Sequence, residues 1–223
     1  MSARPDLFDG CPSAHALDLI GDRWSLLVVR ELLIGPKRFT DLLRGLPKIS
    51  RNVLSQRLDD LQAAQVLVRR TLPPPSSSAV YELTTRGLEL ERVLQAIGAW
   101  GVRSPLLPPC ETVGADTFVL GLRGHYDASE NKGLTARYEL RIGMDVFAFE
   151  IDRGHLTIRR GGCERPNLVL DVDTSALATV TRGAAPLRTV LTAPRGANVQ
   201  DFARLFRKPQ PVAPPSPSQP VGS

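Results

Sequence analysis

Residues 37–63 read KRFTDLLRGLPKISRNVLSQRLDDLQA. Gly45 and Pro47 end a short helix running from about Phe39 to Arg44, and Ser50 caps the next one. In that second helix Leu54, Leu58 and Leu61 fall at i, i+4 and i+7, one apolar face turned to a core. Asn52, Gln56 and Asp59 then point away from the core, Ser55 lies at the edge, and Arg51 reaches out of the first turn. Two helices separated by this break form a helix-turn-helix from Phe39 to Gln62, with Ser50 to Ala63 as the exposed reading helix.

The flanks extend the pattern. Ser13 caps a helix to about Ile20, and Asp22 caps another that carries Trp24, Leu27, Val28 and Leu32 at helical spacing until Gly35-Pro36 stops it. Downstream, Val66–Thr71 and Val80–Leu83 read as strands around the tract Pro73–Ser78, a hairpin with a long tip. A helix from Thr85 to Trp100 closes the series, with Leu88, Val93, Ile97 and Trp100. Helices followed by a two-stranded hairpin make residues 1–102 a mainly α, winged helix-turn-helix domain.

Charge agrees. The chain of 223 residues carries a net +5. Between Lys37 and Arg57 stand six basic residues, Lys37, Arg38, Arg44, Lys48, Arg51 and Arg57, against one acid, Asp41, so six minus one equals the whole chain's excess. Such clustering is the footprint of a phosphate-facing surface. Arg51, Asn52, Ser55 and Gln56 are side chains that pair with base edges in a major groove. Lys37, Arg38, Thr40, Lys48, Ser50 and Arg57 complete the DNA-facing set, with Arg69 and Arg70 on the wing. Asp59 and Asp60 repel phosphate, so only the first two turns of the reading helix should enter the groove.

The stretch from Cys11-Pro12 to Arg70 and the segment YELTTRGLEL (residues 81–90) resemble the HxlR family of bacterial winged-helix regulators. The motifs that carry the resemblance are the Cys-Pro start, Gly21 to Trp24, Gly35 to Phe39, Ile49-Ser50 and Leu54 to Leu58; it covers residues 10–101. It implies a homodimer that binds double-stranded DNA through two recognition helices, with the N-terminal helix and the helix after the wing at the dimer interface. The wing departs from the usual pattern in its uncharged Pro/Ser tip. Some relatives sense oxidants or aldehydes at the position of Cys11. That residue precedes a helix N-terminus, which favours a thiolate, while Asp6, Asp9 and Asp18 oppose one.

Residues 103–115, with Pro105, Pro108, Pro109 and Gly114, read as a linker to an α+β domain at 116–207. Leu134 to Ile142 alternates apolar and polar residues as a half-buried strand, and Asp145–Asp152, His155–Arg160 and Asn167–Asp173 read as three more. Helices are expected at Asp116–Tyr126, Thr174–Arg182 and Asn198–Phe206, and a disordered Pro-rich tail at 208–223. This half resembles the sterol carrier protein family more weakly. The resemblance implies an apolar small-molecule site, for which Tyr138, Phe147, Phe149, Phe202 and Phe206 are the candidates. A plain core is the competing reading of the same phenylalanines.

Other chemistry is missing. Hydrophobic residues make up 42% and charged residues 23%, and no apolar run approaches the roughly 18 residues of a membrane span. The N-terminus lacks a signal-peptide plan, so a cytoplasmic protein is expected. Cys11, Cys110 and Cys163 are too scattered for a disulfide framework or a closed metal site. His15, His125 and His155 have no catalytic partners in a recognisable arrangement, and no glycine loop cradles a phosphate. No enzyme, metal or cofactor is expected. A winged-helix adaptor that docks on protein rather than DNA remains open from the residues alone.

Overall fold

The computed structural model describes residues 10–73, 78–108, 113–181, 184–194 and 199–206. The expected tail at 208–223, most of the wing tip, and Cys110 lie outside the described residues. The chain packs as two compact units, one up to Leu94 and one from Gln95. The division falls inside a helix rather than at the proline-containing segment that follows it.

In the first unit α1 (Pro12–Ile20), α2 (Ser25–Leu32), α3 (Phe39–Gly45) and α4 (Arg51–Ala63) precede β1 (Leu67–Thr71), β2 (Ala79–Leu83) and α5 (Thr85–Gly101). The caps differ from expectation at two places. Pro12 occupies the first position of α1, so Cys11, not Ser13, is its N-cap. Asp22 does not cap α2; its Oδ1 accepts the Trp24 N–H at 3.1 Å in the turn before it. Ser50 does cap α4, its hydroxyl accepting the Val53 N–H. Leu54, Leu58 and Leu61 are at most 1% exposed, Val28, Val29, Leu32 and Leu42 are buried as well, and α2 packs against α4.

The wing strands pair antiparallel, Leu67 opposite Leu83 and Arg70 opposite Val80. Lys37 and Tyr81 exchange both backbone hydrogen bonds, so the segment entering α3 is stitched to the wing. Thr84 starts α5 by donating to the Gln65 carbonyl and accepting the Gly87 N–H. Gly87 must be glycine, since a Cβ there would collide with the Val66 carbonyl oxygen.

The second unit is α+β. It contains α6 (Ala115–His125), β3 (Ala136–Ile142), β4 (Asp145–Asp152), β5 (His155–Arg160), β6 (Leu168–Val172), α7 (Leu177–Thr181), β7 (Leu191–Thr192) and α8 (Val199–Ala203). The sheet runs β5-β4-β3-β6-β7, antiparallel except that β6 joins β3 in parallel. α8 is shorter than the expected Asn198–Phe206 helix. The Leu205 carbonyl is taken by the Asp127 N–H and the Asn131 amide, and Phe206 turns away to bridge Tyr126. β7 had no sequence signal. β3 buries one whole face, while on the other Arg137 and Arg141 are exposed and Glu139 between them is 8% exposed, its carboxylate accepting from the Cys163 N–H at 3.0 Å and the Arg141 guanidinium.

Candidate nucleic-acid interface

α4 presents the geometry that its sequence implies. Leu54, Leu58 and Leu61 are buried, while Arg51, Asn52, Ser55 and Gln56 are exposed along its first two turns. Arg38 and Thr40 at the start of α3, Lys48 in the loop between α3 and α4, and Ser50 at the α4 cap are also exposed. Arg69 and Arg70 are exposed on β1, with Arg70 paired to Glu82 across the wing. Cations and amide-bearing side chains thus share the exposed side of a helix-turn-helix. A phosphate backbone and base edges are what such a surface binds.

Two expected DNA contacts are corrected. Lys37 is 5% exposed, and its Nζ lies 2.6 Å from Glu31 Oε2; the other Glu31 oxygen meets Arg30 at 2.9 Å. The backbone exchange with Tyr81 turns the Lys37 side chain inward to a carboxylate that α2 buries. Gly45 makes room for that carboxylate, because a Cβ at 45 would overlap Glu31 Oε2. Arg57 is 9% exposed and bridges Asp22 Oδ2 at 3.0 Å and Asp60 Oδ2 at 2.9 Å. The heptad itself carried this signal, since position 57 is three after Leu54 and four before Leu61 and so lies on the buried face. The surface cluster therefore keeps Arg38, Arg44, Lys48 and Arg51.

Cys11 is exposed. The backbone N–H groups of Ala14 and Ser13 lower its pKa from the ordinary thiol value, the helix-start effect on a thiolate.

Residues 19–105 match the HxlR-like helix-turn-helix family. Over 91 residues the chain is 36% identical to the HTH-type transcriptional regulator YodB of Bacillus subtilis, covering 40% of this chain and 81% of that protein. The chain belongs to the HxlR-like helix-turn-helix family. It is also 38% identical over 91 residues to the HTH-type transcriptional regulator sll1512 of Synechocystis, covering 41% of this chain and 67% of that one. Among solved structures, the reduced form of YodB from B. subtilis shares 33% identity at a TM-score of 0.40, covering 44% of this chain and 98% of that one. On its family match and sequence identities, the first unit is an HxlR-type DNA-binding transcription regulator. The HxlR match ends at residue 105, so the α+β unit lies almost wholly outside it.

That second unit corrects the expected ligand pocket. Tyr138, Phe147, Phe149, Phe202 and Phe206 are all 8% exposed or less. The Phe202 ring lies 5.0 Å from Tyr138, 5.6 Å from Phe149 and 5.1 Å from Phe206, centroid to centroid. Phe147 lies under the Arg160 guanidinium. These rings fill the core by packing against one another. A cavity of about 430 Å³ instead opens on the helical side, lined by Phe118 and Leu122 of α6, Val180 of α7, and Leu187, Ala203 and Phe206 among others. Of the five expected residues only Phe206 reaches it. Its walls come from several elements, α6, α7, α8 and the segment at Leu187, and no one of their sequences shows that together they enclose a void.

Among the described residues no group of three or more His, Cys, Asp or Glu side chains could hold a metal, and no helix is long and apolar enough to cross a membrane.

Proposed function

We propose that the protein is a homodimer that binds a two-fold DNA operator, reading bases with Arg51, Asn52, Ser55 and Gln56 of α4. Arg38, Thr40, Lys48 and Ser50 hold the phosphate backbone, and Arg69 and Arg70 approach it from the wing. The observation that carries this reading is the exposure of Arg51, Asn52, Ser55 and Gln56 in the first two turns of α4, with Asn52 and Gln56 on the face opposite its buried leucines. Two half-sites should lie about 10 base pairs apart, centre to centre. Dimerisation is supported by two helices that expose apolar side chains. α1 has no buried residue and leaves Leu17 60% exposed, and α5 exposes Leu88, Val93, Ile97 and Trp100. Selection of duplexes from a random library, followed by a salt titration of the selected site, tests the proposal. A palindromic site whose affinity falls steeply with salt is expected, and salt-independent binding would refute it.

The cavity favours an effector role for the second unit, in which an apolar small molecule enters between α6, α7 and α8. An apolar cavity of this volume is within the range of small-molecule sites. The likeness of this half to sterol carrier proteins belongs to the same reading. Cys11 supports a separate input: an exposed thiol whose thiolate is favoured by two backbone N–H groups reacts with oxidants or electrophiles. Unchanged operator affinity after mild peroxide treatment, with Cys11 shown to be oxidised, would remove that input.

A further inference from the structure

Four polar side chains form a chain that runs from the turn before α2 to the exposed face of α4. Asp22 Oδ2 meets Arg57 Nη1 at 3.0 Å, Arg57 Nη2 meets Asp60 Oδ2 at 2.9 Å, and Asp60 Oδ1 accepts from Gln56 Nε2 at 2.8 Å. Asp22 spends its other oxygen on the Trp24 N–H. Both oxygens of each carboxylate are thereby engaged, and the Arg57 side chain that joins them is only 11% exposed. An isolated surface pair at i, i+4 orders little. Here the carboxylate that holds Gln56 is itself held by a guanidinium anchored to a different element.

A carboxylate only accepts hydrogen bonds, so the amide nitrogen of Gln56 must face Asp60. Its Oε1 and its second N–H are then left for an incoming ligand. One acceptor and one donor side by side on a Gln amide are what a bidentate contact to adenine requires. A glutamine free to rotate loses side-chain entropy when it reads a base, whereas one already held loses less.

We infer that Asp60 is a specificity-determining residue of this regulator, acting through Gln56 and anchored by Arg57 and Asp22. The inference rests on α4 being the base-reading helix. Asp60 is a positioning residue and need not touch DNA. The effect differs in kind from the one its charge alone implies: loss of an acid near phosphate strengthens binding to every sequence alike, whereas loss of this acid also flattens one base preference.

The test is random-duplex selection with the full-length protein, sequencing the bound DNA for four variants: wild type, Gln56→Ala, Asp60→Ala and the double substitution. Gln56→Ala should flatten one position in each half-site. Asp60→Ala should weaken the preference at that same position by roughly two- to tenfold, the range that corresponds to ordering one side chain, and leave the others unchanged. In the Gln56→Ala background, Asp60→Ala should add nothing there. Asp22→Asn, which leaves the sequence of α4 intact, should produce a smaller loss at the same position, and thermal melts of all variants show that they are folded. Equal shifts at all positions on Asp60→Ala, or a persistent effect in the Gln56→Ala background, would overturn the inference alone. No change at any position on Gln56→Ala would overturn base reading by Gln56 and the inference with it.

Discussion

Lys37 and Arg57 do a different job from the exposed cations around them. Both are cations in the basic window, and both are buried against acids. Removing one partner from a buried ion pair typically costs about 3–5 kcal/mol, because the other charge is stranded. Lys37→Met should therefore lower the urea midpoint while leaving the salt dependence of operator binding unchanged. Arg38→Ala and Lys48→Ala should do the reverse, each reducing the slope of log affinity against log salt by about one with little change in stability. A salt titration of the three variants on one duplex separates the roles. Glu139 offers a second test. The Cys163 N–H and then the Arg141 guanidinium hold its pKa below the ordinary carboxylate value. A depressed folded-state pKa stabilises the fold above the unfolded value and loses that contribution as pH falls through the folded one. Wild type should thus lose more stability than Glu139→Gln on acidification below the ordinary Glu range, measured as melting temperature against pH.

At the scale of elements, α5 ties the wing to whatever covers its exposed side. Gly87 lets α5 approach the backbone at Val66, just before β1, closely enough for Thr84 to bond the Gln65 carbonyl. Gly87→Ala should force the backbones apart and cost about 1–3 kcal/mol, seen as a lower denaturation midpoint with little change in slope. Farther along, Ile97 is 47% exposed and Trp100 72% exposed on the helix proposed for the dimer. Ile97→Asp places a charge in that interface and should shift the protein to monomer in sedimentation at micromolar concentration. Wild type that sediments as a monomer at the same concentration would exclude the proposed homodimer.

For the whole molecule, an effector acts on the operator only if it binds one arrangement of the dimer more tightly than another. Long-chain apolar compounds that enter the α6–α8 cavity should raise the melting temperature of the full chain, and Leu122→Trp, which fills the cavity, should abolish the shift. The same compounds should change operator affinity. A thermal shift without a change in affinity would leave the second unit as a binding module uncoupled from DNA.

The first unit was legible in sequence because its signals are local. The leucine repeat of α4, the Ser50 cap and the Pro/Ser break between strands each specify their element within a few residues, and the Cys-Pro to YELTTRGLEL motifs identify the family. Exposure of Asn52 and Gln56 followed from the same wheel. What the tertiary structure alone decided is the partner of each charge. Glu31 lies six residues from Lys37 and Asp22 lies thirty-five from Arg57, and neither pairing is implied by spacing: the heptad puts position 57 on the buried face, but which acid meets a buried cation depends on the elements that the fold brings together. The second unit shows the same limit on apolar side chains. Phe149, Phe202 and Phe206 announce burial but not whether they line a void or fill it, since packing depends on which rings the sheet and α8 bring together.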